Sequence, residues 1–140
     1  MKPAGSRRSC WDAWYRRALP TYWMLLFALT HLPRLEFDVG IAESDKYAHA
    51  LAFAGLAFLY WRALATAYPV RSVRFALAAA AVLLGYAAVD EWLQRFTGRS
   101  VELRDWLYGA AGIVTTLTGL ELARRRSRFR DSRPGNATKY

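Results

Sequence analysis

Four apolar stretches, separated by charged segments, constrain what this chain can fold into more than any other feature. Each is about 15 residues long and contains no Asp, Glu, Lys or Arg; they are residues 18–33, 47–61, 75–89 and 106–120. Ala, Leu and Phe dominate them, and no strand-like alternation occurs, so we predict an all-α chain with four helices. A soluble four-helix bundle is the alternative, but it would need a polar face along each helix.

The length of the stretches bears on membrane insertion. A helix needs roughly 20 residues to cross a hydrocarbon core of ~30 Å, so each stretch must extend into its flanks. Arginine side chains in the flanks can reach the interface by snorkelling, whereas the carboxylates of Asp45, Asp90, Glu91 and Asp105 are too short. These carboxylates should face partners or a wet cavity, because a charge in lipid near mid-membrane costs about 2.5–3.5 kcal/mol.

The distribution of charge predicts the orientation. Fifteen of the 20 Lys and Arg residues lie before the first stretch, between the second and third, or after the fourth. The positive-inside rule therefore places both termini in the cytoplasm. We predict a polytopic membrane protein with four transmembrane helices in a small bundle. Its parts are a basic cytoplasmic N-terminus at residues 1–17, a membrane domain at 18–123, and a basic disordered cytoplasmic tail at 124–140.

The bulk composition adds two expectations. With a net charge of +9, the cytoplasmic arginines should attract anionic lipids of the bilayer rather than nucleic acid. The single cysteine, Cys10, excludes an intrachain disulfide.

A cleaved signal peptide is the alternative for the first stretch, because a basic segment followed by an apolar one is its usual pattern.

Polar side chains gather at the predicted outer ends of the helices. Asp45 and His49 are spaced i, i+4 and share a face of the second helix, with Lys46 adjacent. Glu91 and Gln94 are spaced i, i+3 and share a face at the end of the third helix. A polar site on the side away from the cytoplasm is therefore predicted where these ends meet.

The fourth helix carries a stripe of small residues. Its face runs from Asp105 through Gly109, Gly112, Thr116 and Gly119. Small residues allow close approach of helices in lipid, so we expect this stripe to pack on the third helix. That packing would bring Asp105 to the polar end of the third helix.

Two interpretations of these polar residues stay open. The groups could satisfy one another, for example Asp45 with Lys46, or Asp105 with Arg99 or Arg104. Alternatively, His49, Glu91 and Asp105 could supply general acid–base chemistry. Histidine with carboxylates could also hold a metal ion, but no His-x-x-x-His pattern occurs and a lone histidine is a weak metal signal, so no metal site is predicted. No cofactor is predicted either, and His31 is expected to be an interface residue.

The same residues carry a family resemblance. The chain resembles the VanZ-like family of small bacterial membrane proteins over roughly residues 25–120. The motifs that carry it are Asp45-Lys46-x-x-His49, Glu91-x-x-Gln94, Gly98-Arg99-Ser100, and Asp105 with Gly112. One departure is Gly109, where that family usually has asparagine, so an amide donor is missing.

The resemblance implies a function at the cell envelope. It implies a four-span protein of the bacterial cytoplasmic (inner) membrane, and the family's founding member is associated with low-level resistance to teicoplanin but not to vancomycin. We expect an outer cluster that binds or processes the headgroup of an envelope lipid or a lipid-linked glycan precursor, with Arg95 and Arg99 holding its phosphate. The predicted binding residues are Asp45, Lys46, His49, Glu91, Gln94, Arg99 and Asp105. A non-enzymatic scaffold and an oligomeric proton- or ion-coupled carrier are the alternatives.

Overall fold

Four long helices make up the protein in its computed structural model, which describes residues 5–31, 44–67, 73–97 and 103–131. They are α1 (Gly5–His31), α2 (Ser44–Ala67), α3 (Val73–Gln94) and α4 (Leu103–Asp131), and a short 3₁₀ helix (Arg95–Thr97) continues α3. Every element in these ranges is helical. The predicted all-α class with four helices is therefore confirmed for the described part of the chain.

Prolines explain where two of the helices end. α1 ends at His31 and α2 at Ala67, each two residues before a proline, and proline disfavours the helical conformation at the residue before it. Pro20 lies inside α1 rather than in its first turn. It removes one N–H from the helix ladder, and the hydroxyl of the next residue, Thr21, donates to the carbonyl of Arg17 at 3.1 Å.

The last helix is longer than its apolar stretch. α4 continues to Asp131, through the first residues of the segment expected to be disordered. Arginine is a good helix former, and Glu121 forms ion pairs with Arg124 and Arg125 one turn further along the helix at 2.5 and 2.8 Å. Pairs at this spacing stabilise a helix, and they prolong α4 beyond its apolar part.

The closest packing joins α2 to α4, whereas the small-residue stripe of α4 had been expected to face α3. A Cβ atom at Gly112 would overlap the carbonyl oxygen of Ala50, and one at Gly109 would lie 3.1 Å from the His49 ring. Gly112 therefore lies against the backbone of α2 and Gly109 against aromatic rings of α2, so two glycines of the stripe contact α2. α3 packs against α4 as well, and the core between the helices centres on Phe53, Leu83 and Ile113.

Two helices are long and apolar enough to cross a membrane. They are residues 46–66 of α2 and residues 73–94 of α3, and only 28% and 22% of their most apolar windows are buried. The core helix of a soluble protein passes the same test of composition, but it is mostly buried. The low burial of α2 and α3 therefore favours a membrane protein.

Candidate functional site

The most completely buried polar side chain is Asp90, near the end of α3. None of its surface is exposed, and its two carboxylate oxygens accept three hydrogen bonds. The Thr30 hydroxyl of α1 lies 3.1 Å from Oδ1 and 3.0 Å from the Phe27 carbonyl oxygen, so two acceptors share its single proton. Tyr86 donates to Oδ1 at 3.3 Å, and Gln94 donates to Oδ2 at 3.3 Å. Asp90 therefore ties the end of α1 to the end of α3.

An imidazole lies beside this carboxylate. Nδ1 of His31 is 3.8 Å from Oδ1 of Asp90, 3.1 Å from the Thr30 hydroxyl and 2.8 Å from the carbonyl oxygen of Phe27. Because a carbonyl only accepts hydrogen bonds, the short contact to Phe27 assigns a proton to Nδ1. Nε2 is shielded from solvent and makes no hydrogen bond to any described residue.

The helix ends that carry these groups lie at one end of the bundle. The Phe53 ring of α2 is 6.0 Å from the Tyr86 ring of α3 and 4.8 Å from the His49 ring. The same ring would be 3.2 Å from a Cβ atom at Gly109 of α4. A chain of aromatic contacts thus connects the Asp90 group to His49.

The structure describes most of the predicted site residues. Glu91, Gln94 and Asp105 are buried, with 4%, 1% and 5% of their surface exposed, while Lys46 and His49 are half-buried. The side chain of Asp45 and all of Arg99 lie outside the described residues. Arg95 is exposed, and its guanidinium lies 4.0 Å from the centre of the Trp92 ring.

The sequence reasoning did not predict the part of the site built from α1. The sequence patterns predict Asp90 only as a boundary carboxylate and His31 only as an interface residue, and they assign no role to Thr30. One signal was present: Tyr86, Asp90 and Gln94 follow one another at i, i+4 spacing and share a face. In an alternating bundle α1 and α3 end on the same side, so polar residues near the end of α1 were candidates for that face.

The arrangement allows proton handling and hydrogen bonding, with no sign of a metal centre in the described ranges. No group of three or more His, Cys, Asp or Glu side chains there could hold an ion. Carboxylates accept hydrogen bonds, whereas amides, hydroxyls and a neutral imidazole can both donate and accept them. Such a set can bind a ligand rich in hydroxyl or ammonium groups.

Comparison with known proteins gives no relative for this fold or site. No protein-family model matches the chain, and no curated protein or solved structure is significantly similar to it. The resemblance to VanZ-like proteins therefore stays a prediction from the motifs.

The bond from Thr30 can be tested by Thr30→Val, which removes the hydroxyl and keeps the shape of the side chain. We expect the free energy of unfolding to fall by about 0.5–1.5 kcal/mol, because Asp90 loses one buried donor. Thr21→Val on the same helix is the control, since the Thr21 hydroxyl is exposed. Denaturant titration in detergent measures both, and equal effects would contradict the importance of the Thr30–Asp90 bond.

Proposed function

We propose that this chain is a VanZ-like, four-span protein of the bacterial cytoplasmic membrane, with both termini in the cytoplasm. Its buried polar cluster faces the outer surface and binds the headgroup of an envelope lipid or of a lipid-linked precursor. The observation that carries this proposal is Asp90, a fully buried carboxylate with three donors on a helix apolar enough to cross a membrane. Ionisable groups in such positions are costly and usually functional.

Exposed apolar side chains support the membrane placement. Met24, Leu51 and Leu77 lie within the apolar stretches of three helices and expose 68%, 73% and 63% of their surface. Together with the low burial of α2 and α3, this pattern fits helices whose outer faces contact lipid. α1 and α4 span in this proposal by extending their shorter apolar stretches with arginines that snorkel to the interface.

The chemistry of the cluster supports headgroup binding. Asp90, Glu91 and Asp105 give the polar cluster three buried carboxylates. Carboxylates accept hydrogen bonds from sugar hydroxyls or from an ammonium group. Arg95 stacks on Trp92, and a stacked guanidinium keeps its N–H edge available for a phosphate. In this proposal His49 and Glu91 handle protons if the headgroup is processed.

A non-enzymatic scaffold is the second candidate, and one observation favours it. The bond from Thr30 to Asp90 joins α1 to α3 at a point with no solvent exposure, and the bonds from Tyr86 and Gln94 within α3 hold the carboxylate in place. Polar bonds of this kind stabilise helix association in lipid. In the scaffold the cluster fixes the bundle and binds nothing.

Glu91→Gln separates the two functions. A strain lacking the gene is complemented with wild type, with Glu91→Gln or with Asp12→Asn. Asp12→Asn makes the same carboxyl-to-amide change near the start of α1, at the opposite end of the bundle. The headgroup function predicts equal membrane levels of all three, with loss of the teicoplanin response and of co-purifying envelope lipid only for Glu91→Gln. The vancomycin response should not change.

Two results would contradict the headgroup function. One is a Glu91→Gln protein that folds normally and retains the same lipids and the same drug response as wild type. The other is a Glu91→Gln protein that no longer accumulates in the membrane, which is the outcome that the scaffold predicts.

A further inference from the structure

A second polar site lies at the opposite end of the bundle, between the last turns of α2 and the C-terminal half of α4. A cleft of about 390 Å³ opens there. Its lining combines Arg62, Arg124 and Ser127 with the apolar surfaces of Trp61, Ala65 and Leu120. Two cations beside an apolar wall fit a ligand with an anionic head and a hydrocarbon body.

The guanidinium of Arg124 has hydrogen-bonding capacity that its ion pair does not use. Nε and Nη2 donate to the two oxygens of Glu121 at 2.7 and 2.5 Å. Nη1 is shielded from solvent and has no hydrogen-bond partner among the described residues. A buried donor left without an acceptor is costly, and a ligand oxygen in the cleft could provide one after a small side-chain movement.

The local charge balance favours an anionic ligand. No carboxylate is among the described residues that line the cleft. Glu121, which pairs with Arg124 of the lining, also accepts a bond from Arg125 at 2.8 Å. Arg62 is exposed, and its guanidinium lies 4.7 Å from the centre of the Tyr15 ring of α1. The cleft therefore carries a net positive charge, with Arg62 at its edge.

We propose that this cleft binds the phosphate of an anionic phospholipid, with Arg62 and Arg124 as its donors and the acyl chains running along Leu120. Basic pockets between membrane helices on the cytoplasmic side bind such headgroups, and guanidinium groups pair well with phosphate. The site rests on the proposed membrane placement, since only that placement puts this end of the bundle at the inner leaflet. It is separate from the outer polar cluster and uses none of its residues.

Native mass spectrometry of the full chain in neutral detergent tests the site. Phosphatidylglycerol, phosphatidylcholine or glycerol phosphate is added to wild type, Arg62→Gln, Arg62→Lys and Arg16→Gln. Arg16 is an exposed arginine at the same end of the bundle and does not line the cleft, so its variant matches the loss of charge. Circular dichroism verifies that each variant keeps its helices.

We expect wild type to bind phosphatidylglycerol in preference to phosphatidylcholine. Arg62→Gln should weaken this binding about tenfold, which is the size of one lost charge-assisted hydrogen bond, while Arg62→Lys and Arg16→Gln stay within about twofold of wild type. Equal losses for Arg62→Gln and Arg16→Gln would overturn the site in favour of diffuse attraction. Equal binding of the two lipids, or displacement by glycerol phosphate alone, would also overturn it.

The outer cluster gives an independent reference. Asp90→Asn changes the opposite end of the bundle and should leave phosphatidylglycerol binding unchanged. A lipid bound normally by Asp90→Asn but lost in Arg62→Gln supports this cleft whatever the outer cluster does. Loss of the lipid in both variants would overturn a separate site.

Discussion

Replacing Gly112 with alanine is expected to separate α2 from α4 and to lower the free energy of unfolding by about 3 kcal/mol. The new Cβ atom would overlap the carbonyl oxygen of Ala50 and come within 3.3 Å of the backbone nitrogen of Ala54. Overpacking costs about 1–3 kcal/mol, and we expect the upper end because backbone atoms cannot rotate away as a side chain can. Denaturant titration of the purified protein in detergent measures the loss.

Gly119→Ala on the same helix is the matched control for this substitution. No atom lies within 4 Å of a Cβ at Gly119, and alanine favours a helix over glycine by up to about 1 kcal/mol. This variant should be as stable as wild type or slightly more so. If Gly112→Ala and Gly119→Ala have the same stability, the close contact between α2 and α4 is not present in the protein.

Replacing Asp90 with alanine is expected to cost at least about 2 kcal/mol and to loosen the contact between α1 and α3. The change removes the acceptor of Thr30, Tyr86 and Gln94 together. The bond from Thr30 crosses between helices, and such bonds contribute on average about 0.6 kcal/mol in lipid. The two lost bonds within α3 and the cavity left by the side chain add to this cost. Thermal unfolding followed by circular dichroism measures the effect.

A double-mutant cycle locates the cause of that loss. If Asp90 acts through Thr30, Thr30→Val should cost much less in the Asp90→Ala background than in wild type, because the bond is already absent. Fully additive effects would mean that Asp90 stabilises the fold without the bond from Thr30. Asp12→Asn, near the start of α1, is the control for loss of a carboxylate at the opposite end of the bundle and should be neutral.

The sequence predicts the helices well because their signals are local. The absence of charge in the four apolar stretches and the positions of Pro33 and Pro69 are readable from the chain, and they lead to four helices that end near the right places. The extension of α1 to Gly5 and of α4 to Asp131 is harder to predict. Arginine-rich segments are compatible both with a helix and with a disordered tail.

The candidate site could be predicted only in part, because its geometry depends on which helices meet. The spacing of Glu91 and Gln94 indicates one polar face, and both residues are buried. The partner of Asp90 on another helix is Thr30, 60 residues away in the sequence. No local pattern indicates that pair. The packing of Gly112 on Ala50 was missed for a related reason: α2 and α3 both present alanines, and their sequences do not show which of them α4 approaches.

Labelling of single cysteines by a membrane-impermeant maleimide tests the central claim of a membrane bundle with its polar cluster outside. In a Cys10→Ser background, cysteine replaces Phe96 at the polar end or Phe129 at the arginine-rich end, two residues that are 68% and 77% exposed. We predict that intact cells label Phe96→Cys only, and that permeabilised cells label both. Labelling of Phe129→Cys in intact cells, or labelling of both variants only after permeabilisation, would contradict the orientation on which this account depends.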